Sequence, residues 1–308
     1  MAASGPPARA HALSKSKTTT LLVLQSHPEP AFEEAVSGVR RRMKALHPGG
    51  IVKLEVRSFS KLSNPDAELA RTIATLRPAL VITLGARATL WAQSNVRKIP
   101  LLFGLVLDPY AQGIVPRLSR APMTGVSMQI PLAEQFSYMN HVLPDVRRIG
   151  AVYDVRNERL VERAKREARK HGLELLGEPV EDPKEVPEAF RRLVGRVDAL
   201  WSFPDTTVYS REAAQFILLF SFRNRLPLMG FSKSYVRAGA LFGLYADYDD
   251  LGHQLAEVAH EILGGRSASD IPISPPRRHA MALNLRVADA LGTKIPKKIH
   301  SEAAEVFK

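Results

Sequence analysis

Residues 239–296 decide the predicted architecture, and they read GALFGLYADYDDLGHQLAEVAHEILGGRSASDIPISPPRRHAMALNLRVADALGTKIP. An apolar strand pattern over 240–245 leads into an acidic helix cap and then a helix that stops at Gly264 and Gly265. A proline-rich link and a second apolar run over 280–285 follow. The helix completes one α/β domain, so the strand predicted over 280–285 must pair with the sheet of another domain. We therefore expect the chain to return to an earlier domain near Ile271.

The bulk composition predicts two domains, since the chain has 308 residues with 45% hydrophobic content and single domains usually run to about 100–200 residues. No apolar run reaches the roughly 18 residues that a transmembrane helix needs. The sequence contains no cysteine, which excludes disulfides, thiol catalysis and cysteine-bound metals.

The formal charge of +12 raises the possibility of a nucleic-acid partner. The lysines and arginines, however, gather on polar helix faces and near helix C-termini, where they complement the helix dipole. No aromatic residues interleave them, unlike in a typical nucleic-acid footprint. We expect a solvated basic surface, no nucleic-acid partner and a monomeric chain.

The first 17 residues are small, polar and basic, and they predict a disordered tail or the remnant of a signal peptide. Ala8-Arg9-Ala10 and Ala10-His11-Ala12 have the form of a signal-peptidase site, but the apolar segment that should precede such a site is missing. The sequence thus leaves two locations open: periplasmic with an incomplete signal, or cytoplasmic if Met1 is the true start.

Strand and helix patterns alternate from Thr20 onwards, beginning with the apolar run LLVLQS over residues 21–26. Two such series follow each other with a boundary near Ser127. Right-handed crossovers make each series an α/β lobe of the Rossmann-like, doubly wound kind. The predicted division is a first lobe of residues 18–127 plus 271–296, a second lobe of 128–270, and a C-terminal tail of 297–308.

Three blocks of sequence resemble a family of ABC-transporter substrate-binding proteins in order and spacing. They are Asp108-Pro109 with Gly113-Ile114-Val115 and then TGVS at 124–127, LPDVRRIG at 143–150, and the ending with ILGG at 262–265, DIP at 270–272 and ALG at 290–292. The resemblance covers residues 20–296. It implies a type I periplasmic-binding-protein fold, in which a three-crossover hinge, with Asp270, Ile271 and Pro272 in its third strand, closes two lobes on a small-molecule ligand. Relatives are described for aromatic amino acids or sugars, and the implied partners are ABC permease subunits at the membrane.

In open parallel sheets a ligand binds beyond the carboxyl ends of the strands, where helix N-termini offer free amides. The turns at these ends contain the candidate ligand-binding residues Ser26, His27, Gly85, Ala86, Arg87, Asp108, Tyr153, Asp205, Thr206, Tyr245 and Asp247. We expect an amino acid-like ligand, because the turn at Gly85 opens directly into a helix that can hold a carboxylate and Asp205 can accept an amine.

Each candidate also has a plainer interpretation. The Gly85 turn can be a simple strand-to-helix connection, and Ser26, Asp205 and Asp247 can be helix caps. His27 and Arg87 are equally compatible with a solvated surface. Tyr153 and Tyr245, at strand ends, are placed either for stacking on a ligand or for packing.

Motifs for catalysis are missing: the sequence has no G-x-S-x-G elbow, no H-E-x-x-H and no P-loop, and its nine histidines lack metal-site spacing. We therefore expect no enzyme, no catalytic residues, no metal and no cofactor. Two alternatives stay open, a two-lobed nucleotide-sugar glycosyltransferase and a stand-alone ligand-sensing module. The sensing half of a transcription regulator is disfavoured, since the residues before the first strand are too few for a helix-turn-helix.

Overall fold

The computed structural model describes residues 18–48, 52–110 and 112–308. These residues form two compact units. The first holds the described residues up to Gln129 together with Asp247–Arg278, and the second holds Ile130–Ala246 and His279–Lys308. The chain therefore passes from one unit to the other three times, which agrees with the three crossovers implied by the resemblance.

The first unit is built on a parallel sheet whose strands are apolar because helices cover both faces. In the described part of the chain, the sheet has the order β2-β1-β3-β4-β5, and every pairing in it is parallel. Leu21, Leu22, Val23 and Leu24 in its interior strand β1 are at most 1% exposed. The elements are β1 (Thr19–Gln25), α1 (Pro30–Leu46), β2 (Val52–Ser58), α2 (Pro65–Leu76), β3 (Leu80–Leu84), α3 (Ala86–Asn95), β4 (Leu101–Val106) and β5 (Met123–Ser127).

The second unit repeats the strand and helix alternation. Its elements are α4 (Leu132–Val142), β6 (Arg148–Asp154), α5 (Glu158–Lys170), β7 (Glu174–Val180), α6 (Val186–Leu193), β8 (Ala199–Trp201), α7 (Arg211–Arg223), β9 (Leu228–Gly230), α8 (Lys233–Ala238) and β10 (Phe242–Ala246). Its core contains Trp201 and Phe136, whose rings lie 5.4 Å apart and are fully buried.

Helix α9 (Tyr248–Leu263) lies in the first unit, where it packs against α1. Two glycines allow the helix backbones to touch. A Cβ atom on Gly252 would lie 2.2 Å from the carbonyl oxygen of Ala35, and one on Gly38 would lie 2.3 Å from the carbonyl oxygen of Asp249. The apolar face of this helix, which includes Leu255 and Ala259, is buried.

Salt bridges reinforce the contact between α1 and α9. Arg42 donates to Glu257 at 2.9 Å, and Arg277 donates to the same carboxylate at 2.6 Å. Arg277 also forms a two-oxygen pair with the buried Asp250, with Nε to Oδ2 at 2.9 Å and Nη2 to Oδ1 at 3.0 Å. The segment before the third crossing is thereby fastened to the first unit.

The final elements join the second unit: β11 (His279–Asn284), α10 (Leu285–Leu291), α11 (Lys297–Glu302) and β12 (Glu305–Phe307). Strand β11 runs antiparallel to β10 and parallel to β12, which gives the sheet order β12-β11-β10-β9-β8-β6-β7 among the described residues.

Two parts of the predicted division are therefore wrong. Residues 247–270 belong to the first unit, because the chain crosses directly after β10 and not near Ile271. Residues 279–296 belong to the second unit, because β11 pairs with β10 from Ala246 opposite His279 to Phe242 opposite Leu283.

Two further expectations need correction. Residues 297–308, predicted to be a tail, form α11 and β12. The expected hinge position of Asp270, Ile271 and Pro272 is also wrong, because the third crossing follows Arg278 and Ile271 lies within the first unit, where its carbonyl accepts from the Thr124 hydroxyl at 2.7 Å. The first crossing, after Gln129, lies near the predicted boundary at Ser127.

The expectations for residues 1–17 lie outside the described residues. In the described part of the chain no helix is long and apolar enough to cross a membrane.

Substituting Gly252 with alanine should lower the free energy of unfolding by about 2–3 kcal/mol, because the new methyl group overlaps a backbone oxygen that cannot move freely. Urea unfolding followed by circular dichroism measures the effect. Ser37→Ala, on the exposed side of α1, is the matched control and should leave stability unchanged or slightly higher. Equal midpoints for Gly252→Ala and the wild-type chain would contradict the close helix packing.

Candidate functional site

Three neighbouring strand ends of the first sheet are joined by hydrogen bonds between their turns. The Ser26 amide donates to the carbonyl oxygen of Leu84 at 2.9 Å, and the Gly85 amide donates to that of Gly104 at 2.8 Å. The turns after β1 and β3 are thus held in fixed register with β4. This is the edge at which a doubly wound sheet binds ligands.

The start of α3 combines one capped amide with two free ones. The Ser26 hydroxyl oxygen accepts from the Ala88 amide at 3.0 Å, which is the capping interpretation of this serine. The amides of Ala86 and Arg87 have no acceptor among the described residues. They are available for a carboxylate, and the helix dipole favours an anion there.

Gly85 is required by its surroundings. Its φ of 83° lies in the left-handed region, and a Cβ atom would lie 2.7 Å from the Ser26 hydroxyl and 2.9 Å from the Phe32 ring. Gly85 therefore lets Ser26 and Phe32 approach the start of α3 together.

A cavity of about 260 Å³ lies at the same edge of the first unit. It is small beside most ligand pockets, which span about 300–1,000 Å³. Its lining is mainly apolar, with two aromatic rings, one carboxylate and one amide: Glu29, Ala31, Phe32, Leu105, Leu107, Gln112, Met128 and Tyr248. Phe32 also faces Gly85, so the cavity adjoins the amides of α3.

Leu105 in this cavity has a strained backbone. Its φ of 54° is unusual for a leucine, and it lies where the register between β4 and β5 shifts, between Phe103 and Val106. Backbone strain of this kind concentrates at ligand sites, where the surrounding structure holds it in place.

The other candidates of the first unit have less specific positions. His27 is exposed, and so is Arg87, whose guanidinium carbon lies 4.8 Å from the centroid of the Phe59 ring. Asp108 is half-buried after β4, and its carbonyl accepts from the Gln112 amide at 3.1 Å. Asp108 therefore shapes the loop that brings Gln112 to the cavity.

Two buried carboxylates organise the corresponding edge of the second unit. Asp205 accepts four hydrogen bonds: from the amides of Thr207 at 3.0 Å and Val208 at 3.1 Å, and from the Asp154 amide and the Asn157 side chain at 2.8 Å each. Both oxygens are thus engaged within the protein. Asp205 therefore ties the turn after β6 to the turn after β8, and it does not cap α7, whose capping side chain is Ser210.

Asp154 forms the centre of the second half of this network. It accepts from Arg156 Nε at 2.8 Å, from Arg156 Nη2 at 2.5 Å and from the Thr207 hydroxyl at 2.5 Å. The Arg156 guanidinium, together with the Thr207 hydroxyl, holds the pKa of Asp154 well below its usual range. These hydrogen bonds form the Asp154–Asp205 network, which consists of Asp154, Arg156, Asn157, Asp205 and Thr207.

The remaining candidates of the predicted second lobe have three different environments: two are packed against the core, one is exposed to solvent and one caps a helix. Tyr153 is 3% exposed and packs within the core, where burial raises the pKa of its hydroxyl. Tyr245 is half-buried against the apolar core, and Thr206 is exposed. Asp247 lies in the first unit and caps α9, accepting from the Asp250 amide at 3.0 Å.

Sequence reasoning missed the cavity residues and most of the Asp154–Asp205 network. Phe32 and Leu105 have the pattern of ordinary core residues. Tyr248 directly follows the capping residue Asp247, and its position in the sequence does not indicate a cavity. The one available signal was Asp154, with Arg156 and Asn157 following directly after an apolar strand. Within the residues that the structure describes, no three histidine or acidic side chains gather as a metal site.

Asp205→Ala should lower the free energy of unfolding by about 3 kcal/mol in the absence of any ligand, because it leaves buried amides without an acceptor. Chemical unfolding of the ligand-free chain tests this. Thr206→Ala, at an exposed neighbouring position, should unfold like the wild-type chain. If Asp205→Ala kept full stability and lost only ligand affinity, the carboxylate would be an amine contact after all.

The lowered pKa of Asp154 predicts a pH dependence of stability. Its stabilising effect is complete above the unfolded-state pKa of about 3.9 and is lost as the pH falls towards the lower folded-state value. Asp154→Asn should therefore cost about 2 kcal/mol at pH 7 and flatten the loss of stability between about pH 4 and pH 2. Denaturant midpoints across this range provide the measurement. The exposed Asp145→Asn is the control, and an unchanged pH profile in Asp154→Asn would refute the assignment.

Comparison with known proteins gives relatives that match most of this chain. The chain is 23% identical over 267 residues to a tyrosine-binding protein of Clostridioides difficile, covering 84% of this chain and 76% of that protein. A substrate-binding protein with adhesive properties from Clostridium difficile, in its ligand-free, open structure, matches with a TM-score of 0.73 at 22% identity, over 94% and 99% of the two chains. An ABC domain from Streptococcus pneumonia in complex with L-Trp matches with a TM-score of 0.65 at 22% identity, over 94% and 100%.

These likenesses confirm the predicted fold class, an α/β chain with two Rossmann-like lobes of the type I periplasmic-binding-protein kind. The family described as "ABC transporter substrate binding protein" matches residues 20–307, which is nearly the whole described chain. Members of this family bind small molecules and work with ABC-transporter components. On that match, the chain belongs to the ABC transporter substrate-binding protein family.

Proposed function

We propose that this chain is a solute receptor for an ABC importer and that its ligand is an amino acid, with aromatic side chains preferred. The observation that carries the proposal is the cavity of about 260 Å³, which Phe32 and Tyr248 line and whose Phe32 also lies against Gly85, next to the free amides at the start of α3. The relatives described as tyrosine-binding and as a complex with L-Trp support the same ligand class.

In this proposal the amides of Ala86 and Arg87 bind the ligand carboxylate. Two backbone donors at a helix start suit an anion without requiring a charged side chain. The apolar lining accepts the ligand side chain, and the two aromatic rings favour an aromatic one through edge or offset contacts.

The ammonium group needs an acceptor other than Asp205, whose oxygens already accept four hydrogen bonds. Glu29 is the acidic residue among those that line the cavity. We assign the ammonium contact to Glu29 and retain Asp205 as the residue that holds the second unit's turns together.

Transport is coupled to binding in this proposal because the ligand favours one state of a hinged pair of lobes, which the permease subunits then recognise. The receptor acts as a monomer in the periplasm and catalyses no reaction. In this proposal its basic surface does not bind nucleic acid.

Titration calorimetry with L-tyrosine, L-tryptophan, L-phenylalanine, L-alanine, glucose and UDP-glucose tests the function. An aromatic amino acid at 100 times its dissociation constant should also stabilise the folded chain by about 2.7 kcal/mol in a thermal-shift experiment. Hydrolysis or transfer of UDP-glucose, without binding of any amino acid, would instead establish the glycosyltransferase alternative.

Phe32→Ala should weaken the binding of the aromatic amino acid by about tenfold to a hundredfold, since it removes one of the two rings that line the cavity. Calorimetry on the variant measures this change. Tyr110→Ala is the matched control, because Tyr110 is a 64% exposed aromatic residue of the same unit that lies outside this cavity. Equal weakening by both substitutions would place the ligand elsewhere.

A further inference from the structure

Two histidines meet where α1 and α9 end. His47 is the C-terminal capping residue of α1, and His260 lies in the last turn of α9. His260 Nδ1 lies 3.1 Å from His47 Nε2, and the two rings are 4.8 Å apart at an angle of 64°. The two residues are half-buried and exposed, respectively, so solvent reaches the pair.

The distance between these nitrogens suits a chelated metal ion. Two histidine nitrogens bound to one Zn²⁺ at about 2.0–2.1 Å lie about 2.9 Å apart at a right angle and about 3.4 Å apart at the tetrahedral angle. The observed 3.1 Å lies between these values. A single N–H···N hydrogen bond has the same length, so the two arrangements differ by a rotation of the rings and by the shift of one proton to the other nitrogen of its own ring.

The position of the pair favours a cation. Both histidines lie at helix C-termini, where unpaired carbonyl groups carry partial negative charge. The two helices are also held rigidly, because Gly38 and Gly252 bring their backbones into contact. The nitrogens are consequently fixed by two different elements before any metal arrives, which lowers the cost of binding.

Acidic side chains near the pair are already engaged. Glu257 is bonded to Arg42 and Arg277, and Glu261 is bonded to Arg266. A metal would therefore have the two imidazoles as its protein ligands and water in its other positions. Imidazole nitrogen suits Zn²⁺, Cu²⁺ and Ni²⁺, whereas Mg²⁺ and Ca²⁺ prefer oxygen.

We propose that His47 and His260 form a surface site for a divalent transition metal, which links the ends of α1 and α9. This site is separate from the cavity proposed for the amino acid. A bound metal ion would stabilise the contact between α1 and α9 in the first unit.

The test uses the full chain without a polyhistidine tag, treated with EDTA and then dialysed. Titration calorimetry with ZnCl₂ should show one bound ion per chain, and Zn²⁺ should raise the melting temperature. His47→Gln and His260→Gln should each weaken Zn²⁺ binding by at least tenfold and abolish the thermal shift. MgCl₂ should have no effect.

His253→Gln is the matched control, because His253 lies on the same helix outside the pair and should bind Zn²⁺ like the wild-type chain. Cu²⁺ electron paramagnetic resonance of the wild-type chain provides a readout that does not depend on how the variants fold, and it should show coupling to two imidazole nitrogens. Absence of saturable binding, wild-type Zn²⁺ affinity in either pair variant, or coupling to one nitrogen would overturn the proposal and leave a simple hydrogen bond.

Discussion

The first unit depends on the contact between α1 and α9, which two glycines make possible. With no side chain at Gly38 or Gly252, the helix backbones approach to a separation that even a methyl group would prevent. This approach fixes the start of α9, and with it Tyr248, beside Phe32 at the start of α1. The cavity proposed for the ligand, the charged groups around Asp250 and the histidine pair all depend on how closely these helices pack.

Much of the fold was predictable because buried parallel strands have an unmistakable composition. The apolar runs at 21–26, 80–84 and 101–107 lie in β1, β3 and β4, and the alternation with helices predicted both sheets. The destination of α9 and β11 was not predictable in the same way. An apolar stripe shows that a face is buried, but it does not show against which sheet.

The sequence predicted where the residues of the candidate site lie better than it predicted what each of them does. Gly85 and Ser26 were identified as turn residues at a strand end, where the structure places them. The role of Asp205 depends on how many donors surround it, and two of its four donors come from a turn about fifty residues away in sequence. The sequence around Phe32 does not predict its role, since an aromatic residue that lines a small cavity has the same helical spacing as one that fills the interior.

The late return of α9 to the first unit has a consequence for the order in which the chain folds. Ala246 and His279 are paired neighbours in the second sheet, so the segment between them leaves and re-enters at adjacent points. During synthesis, domains tend to form as the chain emerges. Here the glycine face of α1 has no helix to cover it until all of residues 130–246 have been made. The first unit, although it begins at the N-terminus, is thus completed only after most of the second exists.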